Sequence, residues 1–115
     1  MKDSHIESLK RLEDIEQAIT DIEKYVANQS VNSFCENDIL HDAVMLQFII
    51  IGEAINNVEN DKLEKYDYPW YKVRSFRNMI AHEYFNIKLA AVWLVIKNDL
   101  PKLKKVIQTM LKNEF

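Results

Sequence analysis

Apolar residues recur every three or four positions over most of the chain, a spacing typical of amphipathic helices. The first such stretch begins near Ser4, a candidate N-cap with Glu7 three residues later, and extends to Val26. Its apolar positions are Ile6, Leu9, Leu12, Ile15, Ile19, Ile22 and Val26. They form one stripe on a helix, and acidic and basic residues fill the other faces. The pattern therefore predicts a helix with one face toward a core.

Polar segments divide the rest of the chain into four further predicted helices. A polar break over 28–33 precedes the second helix, and a polar loop over 59–68 precedes the third. The predicted ranges are 37–58 for the second helix, 69–84 for the third, 87–98 for the fourth and 99 onwards for the fifth. Asn86 is the expected N-cap of the fourth helix. The fourth and fifth helices can also form one bent helix, because Pro101 either starts a new helix or kinks an existing one.

The second predicted helix is too apolar to bury only one face. From Ala43 to Ile55, ten of thirteen residues are apolar, whereas one buried stripe needs about three or four in seven. Gly52 lies in this stretch and costs about 1 kcal/mol of helix propensity relative to alanine. Close approach of a neighbouring backbone would offset that cost. We therefore expect this helix to be central to a bundle and shared with a second subunit.

Composition narrows the class of protein. The chain has 115 residues with only 1 Gly and 2 Pro, which excludes a turn-rich β-sandwich or barrel and fits one all-α domain over 1–115. A formal net charge of -3 argues against binding nucleic acid through bulk charge. A single cysteine, Cys35, cannot form an internal disulfide, and the N-terminus lacks an apolar signal segment. The longest apolar run, Leu89 to Ile96, is too short for a membrane span. We therefore expect a cytoplasmic protein without membrane insertion.

Cationic, amide and imidazole side chains share one surface of the third predicted helix. With Arg77 set at 0°, Arg74 lies at about 60°, Asn78 at about 100° and His82 at about 140°. The opposite, apolar arc consists of Val73, Phe76, Met79 and Ile80. An arginine matches the oxygens of a phosphate, and a histidine can give or take a proton at neutral pH. This set of side chains would suit metal-free cleavage of a phosphodiester.

A plainer interpretation of this surface stays open, because most such helix faces are simply solvated. Tyr84 would lie within about 20° of Arg77 if the helix continued that far, and its ring could stack on a base. The histidines and the cysteine do not have metal-ligand spacing, so no metal site is predicted. We expect His5 and His41 to be surface or capping residues.

Residues 77–84 read Arg-x-x-x-x-His-x-Tyr. This segment resembles the signature of the HepT-like toxins of the HEPN superfamily. Other landmarks of that family also have counterparts here: they are Ile51-Gly52-Glu53-Ala54, Pro69-Trp70, Tyr84-Phe85, Trp93 and Asn98-Asp99-Leu100-Pro101. Together they extend from the middle of the chain to near its end.

The resemblance implies an up-and-down bundle of four long helices with a short fifth C-terminal helix, paired into a homodimer. The motif helices of both subunits would line one cleft, where Arg77 of one chain meets His82 of the other. The family members are metal-independent endoribonuclease toxins that need no cofactor. By that resemblance, Arg77 binds the scissile phosphate of an RNA substrate and His82 is the general acid or base, with Asn78 and Arg74 in support.

The resemblance also implies a partner, a cognate minimal nucleotidyltransferase antitoxin that silences the toxin by transferring AMP to the motif tyrosine, here Tyr84. Two alternatives remain at this stage. One is a non-catalytic HEPN dimer that binds nucleotide or holds a nucleotidyltransferase. The other is a structural bundle without a ligand, which would leave the clustering of polar residues on the third helix unexplained.

Overall fold

The computed structural model describes residues 2–115, which fold into helices joined by short turns. The helices are α1 (Lys2–Val26), α2 (Val31–Glu36), α3 (Asp38–Ile55), α4 (Asn60–Glu64), α5 (Trp70–His82), α6 (Leu89–Leu94) and α7 (Leu100–Glu114). A 3-10 turn, Tyr84–Asn86, follows α5, and a π-helical segment, Val95–Asp99, joins α6 to α7. Residues 2–115 contain no β-strand, which confirms the predicted all-α class.

The short helices α2 and α4 occupy segments that the sequence pattern assigned to a polar break and a polar loop, so both of those predictions are wrong. Helix α2 forms because two serines cap it: the Ser33 amide donates to Oγ of Ser30 at 3.1 Å, and the Ser30 amide donates to Oγ of Ser33 at 2.9 Å. Phe34 is then buried in the core, which fixes this short helix against the rest of the fold.

Two predicted N-caps do not cap a helix. Helix α1 begins at Lys2, so Ser4 lies inside it. Asn86 ends the 3-10 turn, and α6 begins after Lys88. At the C-terminal end, α6, the π-helical segment and α7 follow one another without a loop, so no separate short fifth helix is present among the described residues. The amide of Leu100 donates to the carbonyl of Val95, five residues earlier, and this wider turn precedes Pro101, which has no amide hydrogen to donate.

Helix α3 is the centre of the fold, as its apolar composition predicts. It packs against α1 on one side and α5 on another, while α1 also packs against α7. On the α5 side, the rings of Phe48 and Phe76 meet edge to face at 4.9 Å. The prediction that a second subunit also covers α3 remains a prediction.

Two hydrogen bonds fix the segment between α3 and α5. The amide of Glu59 donates to Oγ of the buried Ser8 at 3.0 Å, which ties the start of α4 to α1. The indole nitrogen of Trp70 donates to the carbonyl of Leu63 at 2.9 Å, which ties the end of α4 to the start of α5. Together they set where α5 begins along α3.

None of the helices in the described chain is long and apolar enough to cross a lipid bilayer.

Candidate functional site

Gly52 is the place where α5 comes closest to α3, and the side chain of Arg77 lies over it. A Cβ atom built on Gly52 would overlap Cβ and Cγ of Arg77 and would lie 3.5 Å from its Cδ. These are atoms at the base of the arginine side chain, which cannot move without a shift of α5. A close neighbour is therefore present at Gly52, but the nearest atoms belong to the side chain of Arg77 and not to a backbone as predicted.

The guanidinium group of Arg77 is held by two neighbours. Nη2 donates to Oε1 of Glu53 in an ion pair, and Nη1 donates to Oδ1 of Asn78 at 3.1 Å. Nε is buried and has no hydrogen-bond partner among residues 2–115. The side chain is 27% exposed, so its edge can still be reached from outside. A bidentate contact to an oxyanion would use Nε together with Nη2, after Glu53 moves away.

Arg74, one turn before Arg77, faces the same end of α3. Its Nε donates to Oδ1 of Asn56 at 3.0 Å, and Asn56 is the residue that ends α3. Both arginines therefore lie at the C-terminal end of a helix, where the helix dipole favours positive charge. This placement gives Arg74 a structural role that the sequence pattern did not predict.

His82 is the last residue of α5 and is exposed. The interactions that hold Arg77 do not include it. In a regular helix, residues five positions apart point about 140° away from each other. As this angle predicts, the side chains of Arg77 and His82 in one chain do not converge on a common point.

Tyr84 does not continue the face of Arg77, and that expectation is wrong because α5 ends at His82. Glu83 has φ -125° and ψ 30°, so the chain leaves the helix before the tyrosine. The Tyr84 hydroxyl instead donates to Oδ1 of Asp42, near the start of α3. Asp42 lies eleven residues before Glu53, the partner of Arg77. The two contacts are therefore about 16 Å apart along the axis of α3.

Asp42 belongs to a small cluster of titratable residues that the sequence analysis did not identify. Nδ1 of His41 lies 3.1 Å from Oδ1 of Asp42, and Nε2 of His41 lies 3.2 Å from Oδ1 of Asp38. The His41 side chain is only 12% exposed and its ring lies beside Phe34, so the expectation of a surface or capping residue is wrong. The hydrogen bond from Tyr84 to Asp42 raises the pKa of Tyr84 above its ordinary value, and partial burial and the negative charge of Asp42 act in the same direction.

The available sequence signal for Asp42 was its position in an apolar helix. Asp42 and Glu53 flank the mostly apolar run of α3, and each contacts one residue of the Arg-x-x-x-x-His-x-Tyr segment. No group of three or more His, Cys, Asp or Glu side chains within residues 2–115 is arranged to hold a metal ion.

An exposed apolar stripe lies on the side of α3 that carries Asp42 and Glu53. It consists of Ile39, Leu46 and Ile50, of which Ile39 is 84% and Leu46 is 55% exposed. On a helix these three positions lie within about 40° of one another. Met79 on α5 was expected in the core but is exposed as well, because the core side of α5 is occupied by Ile80.

A groove lies on another side of α5. It has a volume of about 770 Å³ and lies between α3, α5 and the C-terminal helix. Its lining is mainly apolar and includes Phe48, Val73, Phe76, Leu103 and Val106. Arg77, His82 and Tyr84 do not line it. The groove therefore has volume without the groups that could cleave a phosphodiester, and the candidate site is the polar side of α5.

Comparison with known proteins identifies the family of the chain. The family model described as Ribonuclease HepT-like matches residues 15–110. A "Probable ribonuclease HepT" of Thermococcus cleftensis is 34% identical over 105 residues, which cover 90% of this chain and 93% of that protein. "Putative RNase MJ1380" of Methanocaldococcus jannaschii is 34% identical over 98 residues, which cover 84% of this chain and 90% of that protein.

A third relative is longer. "Gamma-glutamylcyclotransferase and putative RNase MJ0434" of M. jannaschii is 35% identical over 108 residues, and the chain spans only 49% of its length. No solved structure matches the chain. The family match covers α3, α5 and the 3-10 turn after α5, and so includes the residues of the candidate site described above. The chain therefore belongs to the ribonuclease HepT-like family.

Proposed function

We propose that this protein is a metal-independent endoribonuclease and the toxin of a toxin–antitoxin pair. The observation that carries the proposal is the state of Arg77. Its side chain is fixed on Gly52, it is oriented by Glu53 and Asn78, and its Nε is left without a partner. A guanidinium held in this way is prepared to bind a phosphate without further ordering of its side chain. The names of the relatives support the same reaction class.

The active site is composite and belongs to a homodimer. The exposed stripe of α3 supports a dimer, because three large apolar side chains in a row are costly to leave in water. Leu46 and Ile50 of the stripe lie on α3 between Asp42 and Glu53, so a partner bound there would bring its own α5 close to this one. Arg77 of one protomer then faces the partner's His82, which resolves the divergence of the two side chains within one chain.

In this site the residues have separate roles. The scissile phosphate of RNA displaces Glu53 and is bound by Nη2 and Nε of Arg77. His82 takes the proton of the 2′-hydroxyl or gives one to the leaving oxygen. Asn78 orients the guanidinium group of Arg77 by accepting a hydrogen bond from its Nη1. Arg74, which is hydrogen-bonded to Asn56, adds a second positive charge near Arg77.

The toxin is silenced when a cognate nucleotidyltransferase transfers AMP to Tyr84. Attachment of AMP replaces the hydroxyl hydrogen that Tyr84 donates to Asp42. The phosphate of the AMP group also adds negative charge beside Asp42 and Asp38. Because Tyr84 is two residues from His82 and its hydroxyl is remote from Arg77 of the same chain, the nucleotide obstructs the histidine side of the cleft.

The ion pair of Arg77 with Glu53 also supports a second candidate. A cation that is already neutralised could serve only to hold α5 against α3, and the protein would then be a non-catalytic module that binds nucleotide or a nucleotidyltransferase. The two candidates differ in one measurable property, the cleavage of RNA.

The test is cleavage of a labelled RNA pool in the presence of a metal chelator, together with growth of cells that express the protein. Wild type is expected to cleave and to slow growth, while Arg77→Ala and His82→Ala lose both effects. Arg11→Ala is the matched control, since Arg11 forms its ion pairs on α1 with Glu7 and Asp14. Lack of cleavage by wild type, or cleavage by both site variants, would contradict the proposal.

Mixing the two inactive variants tests the composite site. A mixed dimer of Arg77→Ala and His82→Ala has two active sites, of which one lacks both the arginine and the histidine and the other keeps both. With random pairing about half of the dimers are mixed, each with one of two sites intact, so about one quarter of wild-type activity is expected to return. If both groups came from the same chain, mixing would restore nothing.

A further inference from the structure

The hydroxyl of Tyr84 has one partner, the carboxylate of Asp42. The contact joins the 3-10 turn after α5 to the first turns of α3, across 42 positions of sequence. It exists because α5 ends before Tyr84 and the chain turns toward α3. Tyr84 is partly exposed, and half of the Asp42 side chain is exposed too, so the contact lies at the surface of the protein.

The carboxylate of Asp42 has His41 beside it, but Nδ1 of His41 makes no hydrogen bond to the residues that the structure describes. Nδ1 of His41 lies 3.1 Å from the same oxygen that accepts from Tyr84, and Nε2 of His41 bonds to Asp38 at 3.2 Å. Tyr84, Asp42, His41 and Asp38 thus lie together at one end of α3, but the hydrogen bonds pair Tyr84 with Asp42 and His41 with Asp38. Among residues 2–115, Asp42 is the group that accepts from the tyrosine hydroxyl.

The phenol of Tyr84 is a poor nucleophile in this setting unless a base acts during the reaction. The hydrogen bond to Asp42 stabilises the neutral hydroxyl, and its pKa lies above the ordinary value. A phenolate is therefore not formed in advance. The proton has to leave as the new bond forms, and the acceptor already hydrogen-bonded to it is Asp42. Protein kinases use an aspartate in the same relation to the hydroxyl that receives the phosphoryl group.

We propose that Asp42 is the general base for nucleotidyl transfer to Tyr84, an inference that rests on the proposed function above. Oη of Tyr84 attacks the α-phosphorus of a nucleoside triphosphate held by the transferase. The Oη–P bond forms, the bond from the α-phosphorus to the bridging oxygen of the β-phosphate breaks, and pyrophosphate leaves with that electron pair. The hydroxyl proton passes to Oδ1 of Asp42. The acceptor protein thus supplies part of the catalytic machinery for its own modification.

The test measures the initial rate of AMP transfer to the purified chain by its cognate nucleotidyltransferase and ATP, followed by intact mass, from pH 6 to pH 9. Asp42→Asn keeps an oxygen that can accept the hydrogen bond but cannot take a proton. Asp38→Asn is the matched control, because it removes a neighbouring charge without touching Tyr84. Tyr84→Phe checks that the label is on this tyrosine. Thermal melts of each variant check the fold.

We expect Asp42→Asn to lower the rate at pH 7 by about 10²- to 10⁴-fold, the usual contribution of a general base. Its remaining rate should rise about tenfold per pH unit, since transfer then needs the phenolate, whereas the wild-type rate is flat over this range. Asp38→Asn should stay within about twofold of wild type. The other titratable groups that face the pair are His41 and Asp38 on α3, and His41 is unchanged in both variants. His82 and Glu83, which precede Tyr84 in the sequence, are also unchanged.

Three results would overturn the inference. If Asp42→Asn is modified as fast as wild type, Asp42 takes no part. If its rate falls but its pH profile stays flat, Asp42 only positions the tyrosine. If wild type itself receives no AMP, or if Tyr84→Phe is labelled equally, the proposed modification fails and the role of Asp42 fails with it. The first two results leave the proposed modification intact.

Discussion

Replacement of Gly52 by alanine should have opposite effects on stability, depending on the residue at position 77. In a helix interior alanine is favoured over glycine by about 1 kcal/mol, so Gly52→Ala would stabilise α3 if nothing lay above it. In wild type the new methyl group overlaps Cβ and Cγ of Arg77. Overpacking of this kind costs about 1 to 3 kcal/mol. We therefore expect Gly52→Ala to lower the free energy of unfolding by up to about 2 kcal/mol.

The same substitution in an Arg77→Gly background meets no side chain. There Gly52→Ala should raise the free energy of unfolding by about 1 kcal/mol. The coupling between the two positions is the difference between these effects, about 1 to 3 kcal/mol. Urea unfolding of the four proteins, followed by circular dichroism, measures it. Equal effects of Gly52→Ala in both backgrounds would refute the reasoning that Gly52 exists to seat Arg77.

Two further predictions concern the exposed stripe and the tyrosine. Leu46→Glu should convert the dimer into a monomer, measured by light scattering, and should abolish RNA cleavage. Ile6→Glu, at an equally exposed position on α1, should do neither. A Leu46→Glu protein that stays dimeric would exclude the stripe as the interface. The raised pKa of Tyr84 means that the Asp42 contact stabilises the fold below the ordinary tyrosine pKa of about 10, and that this contribution is lost as pH rises through the higher folded value. Melting temperatures should therefore fall less between pH 9 and about pH 12 in Tyr84→Phe than in wild type, and an identical fall would contradict the contact.

The helices with repeated apolar spacing could be predicted from sequence, because periodicity reports directly which face is buried. This applies to α1, α3 and α5, and to the polar surface of α5 that carries Arg77 and His82. Helix α2 could not, since only two serines and one buried phenylalanine determine it, and a polar segment of that composition is equally typical of a loop.

The contacts within the site were less accessible to sequence reasoning. Gly52 was recognisable as a point of close approach, but its neighbour Arg77 is 25 residues away and no local pattern relates them. The position of Tyr84 depends on where α5 ends, and a motif read as one helix places it on the wrong face. Asp42 stands out only as a charged residue beside an apolar run, and its contact with Tyr84 arises only when the turn after α5 folds back on α3.

The eleven-residue separation of Asp42 and Glu53 acquires a meaning when two α3 helices cross antiparallel about a two-fold axis. Such an axis pairs positions whose numbers have a constant sum. If it passes between residues 47 and 48, close to Leu46 and Ile50 of the stripe, position 42 of one protomer is level with position 53 of its partner. The tyrosine hydroxyl of each chain would then lie beside the arginine of the other. The register of one helix pair would decide whether a nucleotide on one subunit silences the active site of the second.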